Sequence, residues 1–286
     1  MKRRDFISRA FALATGLTVG KTPALAQIEK VRFGLTPVFL SHDLGLLTSL
    51  EEYLSQATDY PVELVQKRTY QEITTLLAAG RLDAAWICGY PYIRFREVLQ
   101  LLSVPVWRGK PRYQAYLIGN ADRNASGIDD LRGDLHCFSD PDSNSGFLVT
   151  SALLAERRVH PEDFFQGTFF AYGHRNVVRA VASQLAQSGS VDGYVWEVLN
   201  RIEPDLTQKT KVIWKSDWLG FPPIAAPSST AGTPKVQAIQ QALLNMHEDP
   251  LGRKVLSLLR LDRFGPPAGT DFSKIAEMNR IVQDFG

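Results

Sequence analysis

The stretch Ser139-Asp140-Pro141-Asp142-Ser143-Asn144-Ser145-Gly146 gathers small hydroxyl and amide side chains at a point of change. It lies between an apolar strand pattern, Leu135 to Phe138, and a helical pattern carried by Phe147, Leu148, Leu153 and Leu154. A helix start leaves backbone N–H groups without partners and carries partial positive charge, so it suits an anion. Ser143 and Ser145 add hydroxyl donors and Asn144 adds an amide donor. Donors without full charge can hold an oxyanion and still release it. The carboxyl end of a strand is also where open α/β sheets bind their ligands. The same residues suit an ordinary N-cap at Ser143 behind an Asp140-Pro141 turn equally well. Other chemistries find less support. There is no Gly-Lys P-loop for a nucleotide triphosphatase. Ser41-His42-Asp43 are adjacent and cannot assemble a hydrolase triad. With no metal-ligand spacing and no nucleophile elbow, the chain is expected to be neither an enzyme nor a metal or cofactor protein.

The elements that must position this stretch alternate. Val31 to Leu35 reads as a strand, Ser41 opens a helix through Leu44, Leu47, Leu50 and Leu54, and Val62 to Val65 is a second strand. Thr69-Tyr70-Gln71-Glu72 is a capping-box pattern whose helix stops at Gly80, and Leu82 to Ile87 is a third strand. After Pro111 the pattern resumes. Strands are expected at Tyr113 to Ile118, Leu135 to Phe138, Thr168 to Tyr172, Val191 to Val195 and Lys211 to Trp214, with a helix from about Asn176 to Leu185. Helices starting at Thr233-Pro234 and Asp249-Pro250 belong to a helical tail. This is an α/β chain with two units, 27–112 and 113–221. If Ile224-Ala225-Ala226 is a returning strand, 222–286 rejoins the first unit. Two crossings then make a cleft with a hinge.

Lys2, Arg3 and Arg4, a mildly apolar run from Phe11 to Val19, and Ala24-Leu25-Ala26 order as a cleavable secretory signal over 1–26. Arg3-Arg4-Asp5-Phe6-Ile7 resembles a twin-arginine signal. That segment holds five of the 32 basic residues and one of the 30 acidic ones, so removing it turns the formal charge from +2 to −2. The slight basicity therefore says nothing for nucleic-acid binding, which needs a clustered basic face. The two cysteines, Cys88 and Cys137, are too few for a disulfide framework, and a bond between them would bridge the units and hinder closure.

Several motifs, in order from about Val31 to Ala226, resemble the phosphonate/phosphite-binding proteins that serve ABC importers. The 139–146 stretch is similar to their Asp-Pro-x-Ser-Thr-Ser-Gly motif, with Asn144 in place of threonine. Tyr70-Gln71-Glu72 and Gly80-Arg81-Leu82-Asp83-Ala84-Ala85-Trp86 resemble a tyrosine-led helix and the strand after it. Gly173-His174, Val191-Asp192 with Glu197, and Val212 to Ser216 resemble later segments. The resemblance implies a type 2 periplasmic-binding-protein fold, two α/β lobes joined by a hinge. It implies a periplasmic monomer that captures phosphate, phosphite or a phosphonate for an ABC transporter permease. Ser143, Asn144 and Ser145 would ligate the oxyanion, with Tyr70 reaching from the first lobe, His174 donating as an imidazolium, and Tyr113 near the crossover. Glu197 falls near an acid that binds a substrate amine, and Pro222 replaces a second such acid; this favours a small, simple oxyanion. Cys88, on the cleft side of its strand, supports an alternative. In it the chain binds arsenite through that thiol and presents it to a membrane sensor kinase of a two-component system.

Overall fold

The computed structural model describes residues 29–37 and 44–286; the signal segment 1–26 and Ser41-His42-Asp43 lie outside the described residues. The strands are β1 (Val31–Leu35), β2 (Val62–Gln66), β3 (Ala84–Trp86), β4 (Leu99–Val106), β5 (Arg112–Tyr113), β6 (Ala115–Asn120), β7 (Leu135–Phe138), β8 (Gly167–Phe170), β9 (Ser188–Asp192), β10 (Thr210–Lys215), β11 (Leu219–Gly220), β12 (Ile224–Pro227) and β13 (Arg263–Gly265). The α-helices are α1 (Leu44–Thr58), α2 (Tyr70–Ala78), α3 (Gly89–Phe95), α4 (Val149–Glu156), α5 (Pro161–Phe164), α6 (His174–Ala182), α7 (Gly193–Ile202), α8 (Pro204–Thr207), α9 (Pro234–Asn245), α10 (Pro250–Leu259) and α11 (Ser273–Phe285).

Two sheets hold the molecule. A six-stranded sheet runs β13-β4-β12-β3-β1-β2 and a five-stranded sheet runs β10-β6-β9-β7-β8. In the first, β1 pairs in parallel with β2 and β3, whereas β12 runs antiparallel between β3 and β4. In the second, β7 pairs in parallel with β8 and β9, whereas β6 runs antiparallel to β9 and β10. The chain leaves the first sheet after β4 and returns to it at β12. At the crossing, β5 and β11 form a two-stranded antiparallel ribbon, with Tyr113 opposite Leu219. The returning strand over Ile224–Pro227 is fully buried, as a strand covered on both faces must be.

Local chemistry explains the boundaries. Thr69 accepts from the Glu72 N–H at 3.3 Å while Glu72 accepts from the Thr69 N–H at 3.0 Å, the reciprocal capping box that fixes the start of α2 at Tyr70. β9 is built from small residues because α6 lies hard against it. A Cβ on Gly189 would stand 2.5 Å from a Val177 methyl. The last helix, α11, packs on α3 of one lobe and α4 of the other, with Phe272 against Tyr92 and Phe285 against His160.

Two expectations are corrected, and one element is added. Val191 to Val195 is not one strand: β9 ends at Asp192, whose carboxylate accepts from the Val195 N–H at 3.2 Å and caps α7. The expected strand from Tyr113 to Ile118 is split at Gln114, because the chain passes there from the connecting ribbon into the second sheet. Leu99–Val106, which sequence patterning leaves unassigned, is the strand that accepts β12 and β13.

Candidate functional site

Loops after β3, β7 and β9 and the starts of α2 and α6 meet where the lobes face each other. The capping box places Tyr70 at the head of α2, fully buried, with its phenol oxygen 3.2 Å from His174 Nε2. His174 leads α6, and its Nδ1 accepts the Asp192 backbone N–H at 3.1 Å. With Nδ1 occupied as an acceptor, the ring proton sits on Nε2 and points at Tyr70. The Tyr70 oxygen accepts that proton's hydrogen bond and keeps its own hydrogen to donate. Burial pushes the His174 pKa down to about 3. The ring is therefore a neutral donor, which corrects the expected imidazolium.

Opposite lies the helix start. Ser143 Oγ accepts the Gly146 N–H at 3.0 Å, and the turn over Asn144–Leu148 runs unbroken into α4. Gly146 is required by close approach. A Cβ there would fall 1.8 Å from Ser139 Oγ and 2.9 Å from Ser143 Oγ. Ser143 lies beside the Tyr70 phenol, and Ser145 beside that of Tyr113. The Asn144 N–H donates to Cys88 Sγ at 3.2 Å, and its Nδ2 donates to the Tyr113 hydroxyl at 2.8 Å. Ser143, Asn144, Ser145, Tyr70, Tyr113, Cys88 and His174 are thus brought together, all buried, with contributions from both lobes and from the connecting ribbon.

Further contacts shut the seam between the lobes. Asp140 accepts the Tyr70 N–H at 3.2 Å and the Asp142 N–H at 2.8 Å, and Arg94 pairs with Asp142 at 2.7 Å. Burial lifts the Asp140 carboxyl to about 6. Asp192 is the member that sequence patterning places in a family segment but not in the site. Its backbone orients His174, its carboxylate caps α7, and burial raises its pKa to about 7. The signal available was an aspartate directly before Gly193 and the periodic Val195, Val198 and Leu199, an N-cap signature.

The structure does not bring Glu197 to this cluster. It sits farther along α7, where it accepts from Tyr116 Oη at 3.1 Å and pairs with Arg108, also at 3.1 Å. Arg108 in turn stacks on Trp107, 4.3 Å from the ring centroid. An acid already bonded to a cation and a phenol beside the crossing is a hinge-side tie, which corrects its expected place at the ligand. Cys88 and Cys137 are both free and buried, so no disulfide joins them. Burial pushes both thiols up to about 12, which leaves Cys88 protonated. A protonated thiol engaged with Asn144 is a poor soft ligand, and the arsenite-sensing alternative is not favoured. Among the described residues no cluster of histidine, cysteine and acid could hold a metal ion.

Residues 33–272 match the family model described as ABC transporter, phosphonate, periplasmic substrate-binding protein. The phosphonates-binding periplasmic protein of Escherichia coli is 31% identical over 273 residues, covering 91% of this chain and 79% of that protein. The phosphate-import protein PhnD of Mycolicibacterium smegmatis is 28% identical over 213 residues, covering 69% of this chain and 66% of that protein, just under two thirds of its length. Among solved structures, the binding-protein component of an ABC phosphonate transporter from Pseudomonas aeruginosa superposes with a TM-score of 0.81 at 21% identity, covering 89% of this chain and 87% of the other. PhnD1 from Prochlorococcus marinus, in complex with methylphosphonate, gives 0.77 at 18% identity, covering 89% of this chain and 97% of the other. The fold is therefore that of the two-lobed periplasmic binding proteins, and the chain belongs to the periplasmic substrate-binding proteins of phosphonate ABC transporters.

Proposed function

We propose that this protein captures a small phosphorus oxyanion, of the phosphate, phosphite or phosphonate class, and delivers it to an ABC transporter permease. The observation that carries the reading is the meeting of Tyr70 and His174 with the helix start at Ser143, Asn144 and Ser145 in one buried seam between the lobes. In this reading 27–112 with 222–286 and 113–221 move as two lobes about the β5–β11 ribbon, and closing removes the anion from water. Its desolvation is offset by helix-start N–H groups, the serine hydroxyls and the Tyr70 phenol, whose oxygen accepts from the neutral His174 N–H. The site binds and releases without chemistry, and export by the twin-arginine-like leader over 1–26 completes the reading.

Thermal-shift titration of the protein with phosphate, phosphite, methylphosphonate and sulfate tests it. Stabilisation that grows with the logarithm of ligand concentration is expected for at least one phosphorus oxyanion. Absence of stabilisation by all of them would overturn it.

A further inference from the structure

We infer that Asn144 makes the site selective for an oxyanion that retains a proton, one with a P–O–H group, over an oxyanion that is fully deprotonated. This rests on the oxyanion-binding function proposed above and specifies which protonation state of the ligand is recognised.

Asn144 is fully buried at the first turn of a helix that continues to Glu156. Its backbone N–H is taken by Cys88 and its Nδ2 by Tyr113, yet its side-chain carbonyl Oδ1 has no hydrogen-bond partner among the described residues. A buried amide oxygen without a donor is costly, and such atoms in native proteins are seldom left unpaired. Oδ1 can only accept. The other polar members of the cluster, the hydroxyls of Ser143 and Ser145 and the Tyr70 phenol, can donate, while His174 Nε2–H is already given to Tyr70. A fully deprotonated anion would satisfy those donors but present lone pairs to Oδ1. A monoprotonated anion supplies acceptors to the same donors and one O–H to Oδ1. A site built around a hydrogen-bonding partner rejects the analogue that lacks it, because its own buried group is then left unpaired.

The titratable groups around Asn144 come from every side. Tyr70 and Cys88 face it from the first lobe, Tyr113 from the ribbon, and Asp140, His174 and Asp192 from the second lobe, with the Arg94–Asp142 pair also joining the lobes. Asp140 and Asp192 would alter the affinity for any anion as they ionise, so a single affinity followed against pH is ambiguous. The ratio of affinities for two anions cancels that protein titration. Sulfate is the reference, since it has no proton to offer over this range.

The experiment is isothermal titration calorimetry of the full chain with methylphosphonate, phosphate and sulfate, from about pH 6 to about pH 8. Sulfate is expected to bind on the order of 10- to 100-fold more weakly than the better phosphorus ligand at the acid end. The affinity ratio of methylphosphonate to sulfate should fall about tenfold per pH unit beyond methylphosphonate's second ionisation, which removes its last P–O–H proton, whereas the ratio for phosphate, which keeps one P–O–H after its second ionisation, should not fall in this way. In Asn144→Thr, a hydroxyl that can donate or accept should flatten this dependence and raise sulfate affinity. A methylphosphonate-to-sulfate ratio independent of pH in the wild-type protein overturns the inference, and so does sulfate bound as tightly as the phosphorus ligands. A methylphosphonate-to-sulfate ratio rising with pH overturns it too, by putting the amide NH2 towards the anion. The wild-type measurement decides even if Asn144→Thr fails to fold. Binding of none of the three anions at any pH would instead overturn the proposed function itself.

Discussion

The phenol oxygen of Tyr70 stands 3.2 Å from Nε2 of His174, one residue from each lobe. Because Asp192 donates its N–H to Nδ1, polarity runs one way, from the Asp192 amide through the imidazole to the Tyr70 oxygen. The phenol hydrogen is the free end of that relay, and an anion between the lobes is its natural acceptor.

Tyr70→Phe should therefore weaken the binding of phosphorus oxyanions by about 10- to 100-fold, since a hydrogen bond to a charged group contributes about 1.5–3 kcal/mol. The aromatic body still fills its place, so the folded state should persist with a small loss of thermal stability. Calorimetric titration measures the first effect and circular-dichroism melting the second. A dissociation constant unchanged within about threefold would remove Tyr70 from the ligand.

The start of α2 was legible in the sequence because the Thr69–Glu72 capping box is local chemistry, complete within four residues. The returning strand at Ile224 could be suspected for a different reason: short buried strands are short apolar runs. Elsewhere local pattern misleads. Val191 to Val195 has the composition of a strand, yet the Asp192 carboxylate ends the strand and starts a helix within it. Leu99–Val106 contains Pro105, which argues against a strand when read locally. The structure accommodates it at the Phe264 position of β13, next to the sheet edge. Glu197 shows the limit of motif order. Only the tertiary arrangement reveals Arg108, 89 positions away, as its partner.

Cys88→Ser separates packing from ligation. The thiol is buried, protonated, and bonded only weakly as an acceptor from Asn144. A serine oxygen accepts the same N–H, so oxyanion affinity should change by less than about fivefold. Native-state labelling with a thiol reagent should be slow for both cysteines and fast only after denaturation. Loss of oxyanion binding by more than about tenfold, or rapid labelling of Cys88 in the folded protein, would show that the thiol is engaged as a ligand.

Glu197→Ala removes a half-exposed ion pair with Arg108 and the acceptor of the Tyr116 hydroxyl. Half-exposed pairs of this type contribute about 0.2–1 kcal/mol, so a modest fall in the urea midpoint is expected. Oxyanion affinity should stay within about threefold, and 2-aminoethylphosphonate should gain nothing over methylphosphonate in the wild-type protein. Preferential binding of the aminophosphonate that disappears in Glu197→Ala would return this residue to the ligand site.

Asp192 gives the sharpest dependence on pH. Burial holds its folded pKa at about 7, above the ordinary carboxyl value of about 3.9 that it has when unfolded. The folded protein therefore binds this proton more tightly than the unfolded chain. The resulting stability is fully present below about pH 4, is lost as pH rises from about 4 to about 7, and then levels off. Asp192→Asn keeps an oxygen to accept the Val195 N–H and keeps the backbone N–H to His174, but it cannot ionise. Its stability relative to wild type should increase from about pH 4.5 to about pH 8 when both are unfolded in urea. Asp140, raised to about 6, titrates in both proteins and cancels from the difference. The variant should also bind a phosphorus oxyanion more tightly than wild type at the alkaline end, where it lacks a buried negative charge beside the site. A stability difference that stays constant or narrows over this range would mean that Asp192 is not held neutral by burial.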